Sequence, residues 1–145
     1  MSTQELEGII SELELKELTN VAYGLIGTPY NTKDHPSLHS PEVGFNCYTW
    51  WAYLYRLTGR YIGELPDQLK LVRYLRSNFT EVKDDICRPL DIPMFYFSEL
   101  DTRHFGVMLD ETMFTQCSKG TNGVAINNLT KNPWNVLLRK VYRYK

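Results

Sequence analysis

The spacing of apolar residues changes near Phe79, from a period of three to four residues to short alternating runs. The first pattern is typical of amphipathic helices and the second of β-strands. We therefore expect helices over about residues 4–26, 47–58 and 66–77, and an antiparallel sheet from about residue 80 to the C-terminus. This order, with helices first and a meander of strands afterwards, predicts an α+β fold.

Turn and capping residues set the expected limits of these helices. Ser2-Thr3-Gln4-Glu5 has the pattern of a capping box and is expected to open the first helix, which Gly27 and Pro29 end. Residues 28–46 lie between two helices and are expected to form a long loop. Loops of that length within a compact domain are usually functional or disordered. Asn46, at the end of this loop, is a suitable N-cap for the next helix.

The cysteine that follows this cap is placed like a nucleophile. Cys47 would lie in the first helical turn, where unpaired backbone N–H groups and the helix dipole favour an anion. Such a site lowers the pKa of a thiol, and the thiolate is the reactive form. We expect Cys47 to be the only reactive cysteine, because Cys87 and Cys117 lie in ordinary strand or loop contexts. The alternative is that Cys47 is a small buried apolar residue, as most cysteines are.

Composition and charge argue against several classes of function. The chain, which we expect to form a single domain over 1–145, carries 16 basic and 17 acidic side chains, a formal net charge of −1. That balance gives no electrostatic reason to expect nucleic acid or an anionic membrane surface as a partner. Three cysteines without a CxxC motif predict neither a disulfide scaffold nor a structural zinc site, and we expect no cofactor. No stretch reaches membrane-spanning length, and the polar, acidic N-terminus predicts no cleaved signal peptide.

The chain has three histidines, and one of them is placed like a catalytic base. His35 and His39 lie in the long loop, where we expect solvated side chains. No helix holds them on one face, so we expect no metal site. His104 opens an expected strand, and Gly106 would share its face and leave room for a substrate beside the imidazole. The alternative is a structural histidine bonded to a nearby carbonyl.

The expected hairpin over residues 104–117 suggests a partner for His104. If the loop near Asp110-Glu111 has an odd number of residues, His104 and Gln116 share one face as direct or diagonal neighbours. Gln116 could then hold one imidazole nitrogen with its amide oxygen and leave the other nitrogen to take the thiol proton. A two-residue loop would instead place Cys117 opposite His104. The sequence leaves this register open.

Several short segments together resemble the NlpC-type cell-wall cysteine peptidases, a papain-like group. The resemblance covers residues 15–128 in matching order, and Arg88-Pro89-Leu90-Asp91 stands where the family has a Pro-Gly-Asp segment. The other matching segments are Gly27-Thr28-Pro29-Tyr30, Gly44-Phe45-Asn46-Cys47, His104-Phe105-Gly106-Val107 and Met113-Phe114-Thr115-Gln116. The resemblance implies a papain-like fold in which a helix that begins at the cysteine packs on an antiparallel sheet.

The resemblance also implies an activity, the hydrolysis of amide bonds in peptidoglycan stem peptides, often the γ-D-glutamyl–diaminopimelate bond. It implies that Cys47 is the nucleophile, His104 the base and Gln116 the residue that orients the base, since the family accepts His, Asn or Gln there. The candidate contacts to substrate or oxyanion are Tyr30, Asn46 and Tyr48. The backbone N–H of Cys47 and the hydroxyl of Tyr30 would be the oxyanion donors. Tyr30 as an ordinary core tyrosine remains an open alternative.

The chain departs from the family pattern around the cysteine. The usual Asp before it and Ser-Gly after it are replaced by Asn46, Tyr48 and Thr49, and the Gly-Gly that follows the Pro-Tyr segment is missing. The bulky side chains of Tyr48 and Trp51 are expected to reshape the cleft. A Cys-aromatic-Thr sequence resembles relatives in bacteriophage tails more than secreted hydrolases. Components of a phage tail or of a secretion machine are therefore the delivery partners that we expect.

Two alternatives to a hydrolase stay open at this point. One is a catalytically inactive structural or binding module of the same fold, for instance in a phage tail. The other is a thiol acyltransferase that uses the same cysteine and histidine. The complete set of Cys47, His104 and Gln116 argues against the inactive module but does not separate a hydrolase from a transferase.

Overall fold

The three longer helices of the described chain come before the strands, and one short helix lies between the last two strands. The computed structural model describes residues 10–33, 36–60, 62, 70–83 and 86–145. The helices are α1 (Glu12–Gly24), α2 (Cys47–Leu57), α3 (Leu71–Asn78) and the short α4 (Trp134–Leu137), with a 3-10 turn at Pro36–Leu38. The strands are β1 (Phe79–Glu81), β2 (Ile92–Phe97), β3 (Thr102–Phe105), β4 (Val107–Met108), β5 (Met113–Ser118), β6 (Gly123–Asn128) and β7 (Leu138–Tyr144). The prediction of an α+β fold is confirmed.

A capping box determines where α1 begins. The Ser11 hydroxyl accepts a hydrogen bond from the Glu14 N–H at 3.1 Å, and the Glu14 carboxylate accepts one from the Ser11 N–H at 3.5 Å. The helix therefore starts at Glu12. The sequence predicted helix around 4–26 with a possible break near residues 13–16, whereas the structure shows α1 continuous from Glu12 to Gly24 and an extended backbone at Ser11. The capping box predicted at residues 2–5 lies outside the described residues.

The other two predicted helices are present with small differences in their limits. α2 ends at Leu57, next to the predicted end at residue 58. α3 begins at Leu71, and residues 63–69 before it, which include the predicted start, lie outside the described residues. No described helix is long and apolar enough to cross a membrane.

The described strands form two antiparallel sheets, whereas the sequence predicted one. The first sheet has the order β1-β7-β2-β3, and the second has the order β4-β5-β6. The last strand, β7, pairs with both β1 and β2, so the C-terminal segment lies inside the first sheet. In the second sheet, Thr115 of β5 pairs with Val107 of β4, and the neighbouring Gln116 pairs with Ala125 of β6.

Gly106 is the point at which the chain passes from the first sheet to the second. It lies between β3 and β4, and its N–H donates to the Pro93 carbonyl at 3.1 Å. A Cβ at this position would lie 2.8 Å from the Phe114 ring and 2.9 Å from the Thr115 carbonyl oxygen. Because β5 fills the space beside Gly106, the expectation that this glycine leaves room for a substrate is wrong.

The core is built around α2. Trp50, Trp51, Leu54 and Tyr55 of this helix are fully buried. The indole N–H of Trp50 donates to the Thr115 hydroxyl at 3.1 Å and fixes the helix on the middle strand of the second sheet. The helix also packs against β3 of the first sheet. Its position therefore brings the start of α2 close to the strands that carry the predicted site residues.

Candidate active site

The N-terminus of α2 is held by reciprocal side-chain caps. The Asn46 Oδ1 accepts hydrogen bonds from the N–H groups of Tyr48 at 3.1 Å and Thr49 at 2.9 Å. The Thr49 hydroxyl in turn accepts from the Asn46 N–H at 2.9 Å. This capping box makes Cys47 the first helical residue, which confirms the predicted start of the helix. Because its carbonyl oxygen accepts these two bonds, Asn46 acts as a cap.

Cys47 is almost completely buried, with 5% of the residue exposed. Burial raises the pKa of its thiol from 9.0 to about 11. The backbone N–H groups of Phe105, Cys47 and Tyr48 act in the opposite direction, because hydrogen bonds to a thiolate stabilise it. The loss of solvation outweighs them. The expectation that the helix start lowers the pKa of Cys47 is therefore wrong for the protein without substrate.

His104 lies in β3 with its ring enclosed by aromatic side chains. The ring centroids of Phe97, Phe95 and Trp134 lie 5.9, 6.1 and 6.5 Å from the imidazole centroid. Burial lowers the pKa of His104 from 6.5 to about 4, although a hydrogen bond with Gln116 acts in the opposite direction. His104 is therefore neutral at neutral pH.

A chain of hydrogen bonds runs from His104 into the second sheet. The His104 Nε2 and the Gln116 Oε1 are 2.6 Å apart. Since an amide oxygen only accepts, Nε2 carries the proton and Nδ1 keeps the lone pair of the neutral ring. Gln116 is fully buried, and its Nε2 donates to the Asn127 Oδ1 at 2.7 Å. The predicted pair of His104 and Gln116 thus has a third member, Asn127, which the sequence analysis missed.

The loop before β5 has an odd number of residues. The Leu109 N–H donates to the Met113 carbonyl at 2.8 Å across the three residues 110–112. An odd-numbered loop was the condition set for pairing His104 with Gln116, although His104 belongs to the first sheet and Gln116 to the second. The two side chains meet across the division at Gly106. Cys117 therefore does not lie opposite the imidazole.

Tyr30 lies close to Cys47. It forms a parallel bridge with Phe45, two residues before Cys47. Burial raises the pKa of the Tyr30 phenol, and the negative charge of an ionised Cys47 raises it further. Lys119 lies over the Tyr30 ring, with its Nζ 5.7 Å from the ring centroid. The phenol is therefore close enough to Cys47 to respond to the charge on its sulfur.

Tyr48 and Trp51, the two bulky residues that follow the cysteine, are both buried, and Trp51 packs in the aromatic core. Tyr48 is buried with 6% exposed, and its backbone N–H stabilises an ionised Cys47. Trp51 is fully buried and packs against Tyr55 and Phe79, with ring centroids 5.6 and 6.2 Å away. Trp51 is thus a core residue, and the expectation that it reshapes the cleft is wrong.

His39 has a structural role that its place in the long loop did not predict. Its Nδ1 lies 2.9 Å from the Thr49 hydroxyl, and its Nε2 lies 2.8 Å from the Lys33 carbonyl oxygen. The expectation of a solvated side chain is therefore wrong, since His39 connects the long loop to the cap of α2. His35 lies outside the described residues. Within the described part of the chain, no group of three or more His, Cys, Asp or Glu could hold a metal ion.

The remaining cysteines are also buried. The Cys117 thiol donates to the Phe45 carbonyl at 3.1 Å, and burial raises its pKa to about 12. The negative charge of an ionised Cys47 contributes to this shift, so the two thiols are neighbours. Cys117 therefore ionises less easily than Cys47, whose pKa is about 11.

Solved structures share this arrangement of helices and sheets. A lipoprotein-like member of the NLP/P60 family from Staphylococcus aureus superposes with a TM-score of 0.67 at 16% identity, over 94% of this chain and 43% of that one. A family protein from Bacillus cereus gives 0.66 at 17% identity, over 90% and 40%. The chain has the NlpC/P60 fold. It spans less than half the length of these two relatives.

One similar structure is a single NlpC/P60 domain. The NlpC/p60 domain of the peptidoglycan hydrolase SagA superposes with a TM-score of 0.58 at 21% identity, over 92% of this chain and 98% of that domain. No protein-family model and no curated protein sequence matches the chain. Because the identities are low, the likeness describes the NlpC/P60 fold.

Proposed function

We propose that the chain is a cysteine hydrolase that cleaves an amide bond in peptidoglycan stem peptides. The observation that carries this proposal is the 2.6 Å hydrogen bond between His104 and Gln116 on strands that contact a helix beginning at Cys47. The NlpC/P60 fold supports it, since the SagA domain with that fold comes from a peptidoglycan hydrolase. The resemblance of the motifs supports the γ-D-glutamyl–diaminopimelate bond as the substrate.

The resting site holds a neutral thiol and a neutral imidazole. The pKa of Cys47 is about 11 and that of His104 about 4, so at neutral pH neither group is charged. We therefore propose that proton transfer accompanies the attack on the substrate. The His104 Nδ1 takes the thiol proton while the Cys47 sulfur bonds to the carbonyl carbon. Gln116 orients the imidazole by accepting the Nε2 proton.

The negative charge on the carbonyl oxygen then needs hydrogen-bond donors. The backbone N–H of Cys47 and the Tyr30 hydroxyl are the candidates, because the Tyr48 N–H already donates to the Asn46 Oδ1. Losing one such donor typically lowers the rate by about 10²–10³. The protonated His104 returns its proton to the leaving amine as the C–N bond breaks. A water molecule, deprotonated by the His104 Nδ1, hydrolyses the thioester and regenerates the thiol.

One observation favours a second candidate, a structural or binding module without turnover. Cys47 and His104 are only 5% and 6% exposed, so a substrate must displace neighbouring atoms to reach them. The exclusion of water that results also suits an acyltransferase, whose thioester must survive until an amine arrives.

A phage tail or a secretion machine as the delivery partner stays a prediction.

Digestion of purified sacculi, followed by mass spectrometry of the muropeptides, tests the proposal. We expect new fragments cut at the γ-D-glutamyl bond, and none with Cys47→Ala. Turnover should fall about 10²-fold in Gln116→Ala and be largely retained in Gln116→His, since a ring nitrogen also accepts a hydrogen bond. Cys117→Ala is the matched cysteine control and should be close to wild type.

The same digestion separates the alternatives. Fragments joined to an added amine, in place of free carboxylates, would identify a transferase. A wild-type protein that binds sacculi and releases no fragment would identify a binding module. Activity that survives Cys47→Ala but is lost in Cys117→Ala would refute the assigned nucleophile.

A further inference from the structure

We propose that Lys119 is a specificity residue that pairs with a free carboxylate of the peptide substrate next to the scissile amide bond. The inference rests on the proposed function, because it names the charge that the same site recognises. Its basis is the position of the Lys119 ammonium over the Tyr30 ring, with Nζ 5.7 Å from the ring centroid. The hydroxyl of that ring is a candidate donor to the carbonyl oxygen of the scissile amide.

Tyr30 lies on a segment that has backbone partners on both sides. The Val124 N–H of β6 donates to the Thr28 carbonyl at 2.9 Å, and the Phe45 N–H donates to the Pro29 carbonyl at 3.2 Å. These two bonds fix the backbone at Tyr30 relative to the second sheet and to the residues that lead into α2. The Tyr30 phenol, which is close enough to respond to the charge of an ionised thiol in α2, therefore has a defined place beside the start of that helix.

Lys119 reaches the same place from the second sheet. It directly follows β5 and begins the turn to β6, in which the Asn122 N–H donates to the Lys119 carbonyl at 3.0 Å. Two positions earlier, the Cys117 thiol donates to the Phe45 carbonyl at 3.1 Å. The end of β5 and the start of the turn therefore face the residues that lead into α2.

The Lys119 ammonium has no acidic partner among the residues that the structure describes. It is exposed, and the ion pairs in the described part of the chain all involve other cations. An ammonium has three N–H donors, and a contact with a ring face leaves donors free. A negatively charged group can therefore bind the Lys119 Nζ while the ammonium stays over the Tyr30 ring.

The proposed substrate has such a group. In a γ-D-glutamyl amide the scissile carbonyl belongs to the side chain, so the α-carboxylate of the glutamyl residue stays free. Four C–C bonds join its carbon to the scissile carbonyl carbon, a span of at most about 5 Å. With the carbonyl oxygen on the Tyr30 hydroxyl, this carboxylate can reach the ammonium over the same ring. The diaminopimelate residue on the other side of the amide is a second source of a carboxylate.

Binding of synthetic peptides to the Cys47→Ala protein, measured by isothermal titration calorimetry, tests the contact without turnover. The peptides are L-alanyl-γ-D-glutamyl-diaminopimelate with an amidated C-terminus, its form with the glutamyl carboxylate amidated, and its form with lysine in place of diaminopimelate. We expect amidation of the glutamyl carboxylate to weaken binding about fivefold, which is the upper range for an exposed ion pair. A loss of affinity with the lysine peptide alone would assign the ion pair to the diaminopimelate carboxylate.

Variants of Lys119 in the same Cys47→Ala protein identify the cation. Lys119→Met removes the charge at similar length and should abolish the preference for the free carboxylate, whereas Lys119→Arg should keep it. Lys131→Met is the matched control, because Lys131 is also exposed but follows the far end of β6, and it should keep the preference. The preference should also fall between about 0.01 M and 1 M salt, because the Debye length shortens from about 30 to 3 Å. A packing role of Lys119 would not respond to salt in this way.

Digestion of sacculi by the wild type, carried out beside these titrations, separates the inference from the proposed function. Release of fragments together with an unchanged carboxylate preference in Lys119→Met would refute the inference and leave the hydrolase supported. A preference that depends on Lys119, in a protein that releases no fragment, would support the carboxylate contact and refute the hydrolase. Equal losses in Lys119→Met and Lys131→Met, or no binding of any of the peptides, would overturn the inference.

Discussion

Burial determines the acid–base properties of Cys47 and His104. The aromatic rings around His104 exclude water from the imidazole, and the core position of Cys47 excludes it from the thiol. In both side chains the charged form is disfavoured, so the thiol keeps its proton and the imidazole does not gain one. A buried, protonated thiol such as that of Cys47 reacts slowly with oxidants and alkylating agents, because the thiolate is the reactive form.

The lowered pKa of His104 should make the protein lose stability in acid. His104 has a pKa of about 4 in the folded protein and 6.5 when unperturbed, so between these values the unfolded chain binds a proton that the folded chain does not. Its contribution is therefore full above pH 6.5 and is lost as the pH falls to about 4, by about 3 kcal/mol in total. Urea unfolding at several pH values measures this for wild type and His104→Phe. Between pH 4 and 6.5 the free energy of unfolding should rise more steeply with pH in wild type than in His104→Phe. Equal slopes in the two proteins would contradict this prediction.

The contact between His104 and Gln116 and the helix start at Cys47 were predictable, but the protonation states of Cys47 and His104 were not. Cys47 follows a good N-cap, and His104 and Gln116 share a face in any hairpin with an odd-numbered loop. The pKa of His104, in contrast, depends on Trp134, which is 30 positions away and belongs to the short helix α4. The sequence around His104 therefore does not reveal its pKa, because the burial that lowers it results from packing between segments that are distant in the chain.

At the scale of elements, the long loop is connected to α2, the helix that begins at Cys47. The His39 Nε2 donates to the Lys33 carbonyl, so in the neutral ring Nδ1 accepts a hydrogen bond from the Thr49 hydroxyl. The same hydroxyl accepts from the Asn46 N–H. His39, Thr49 and Asn46 thus form one network, in which the loop conformation and the start of α2 support each other.

Removing the Thr49 hydroxyl should destabilise this network. Thr49→Val keeps the size of the side chain but loses the reciprocal cap and the bond to His39, which should lower the free energy of unfolding by about 1–2 kcal/mol. The matched control is Thr58→Val at the other end of α2, where the hydroxyl donates to the Leu54 and Tyr55 carbonyls. Urea unfolding measures both. The effects of Thr49→Val and His39→Ala should be non-additive by about 0.5 kcal/mol or more, and simple additivity would contradict the network.

The strand predicted over residues 104–109 shows that the periodicity of the sequence was insufficient to predict the sheet pairing. Residues 104–109 have the apolar pattern of one strand, but the structure divides them at Gly106 between two sheets. Periodicity reports which residues face the core and does not report which neighbour they pair with. The close approach of Phe114 and Thr115 to Gly106 explains why a glycine occupies the division.

At the scale of the whole molecule, the first and the last of the described strands, β1 and β7, pair with each other in the first sheet. β7 lies between β1 and β2, so β1 is joined to the rest of the first sheet only through β7. The α+β order, the helix that begins at Cys47 and the resemblance to NlpC-type peptidases could all be predicted from local motifs. The strand order was not, because pairing between β1 and β7 joins residues more than 60 positions apart, such as Phe79 and Tyr144.

One buried ion pair connects β7 to the start of β2. The Arg143 Nε and Nη2 donate to the two carboxylate oxygens of Asp91 at 3.0 and 2.8 Å, and the Arg88 N–H donates to the same carboxylate at 2.9 Å. The Asp91 side chain is only 2% exposed, while that of Arg143 is 25% exposed. A carboxylate buried to this degree depends on its charged partner.

Arg143→Met should therefore be strongly destabilising, since it leaves the Asp91 carboxylate buried without the guanidinium. We expect a loss of about 3–5 kcal/mol in the free energy of unfolding, measured by urea denaturation. Arg139→Met is the matched control on the same strand, because Arg139 is exposed and donates to the nearby carbonyls of Val136 and Leu138. This control should change the free energy of unfolding by less than about 0.5 kcal/mol. Adding Asp91→Asn to Arg143→Met should restore part of the loss, because a neutral amide still accepts from the Arg88 N–H and needs no cation. Equal effects of the two arginine variants would show that β7 is held in the sheet by its backbone pairing and apolar contacts alone.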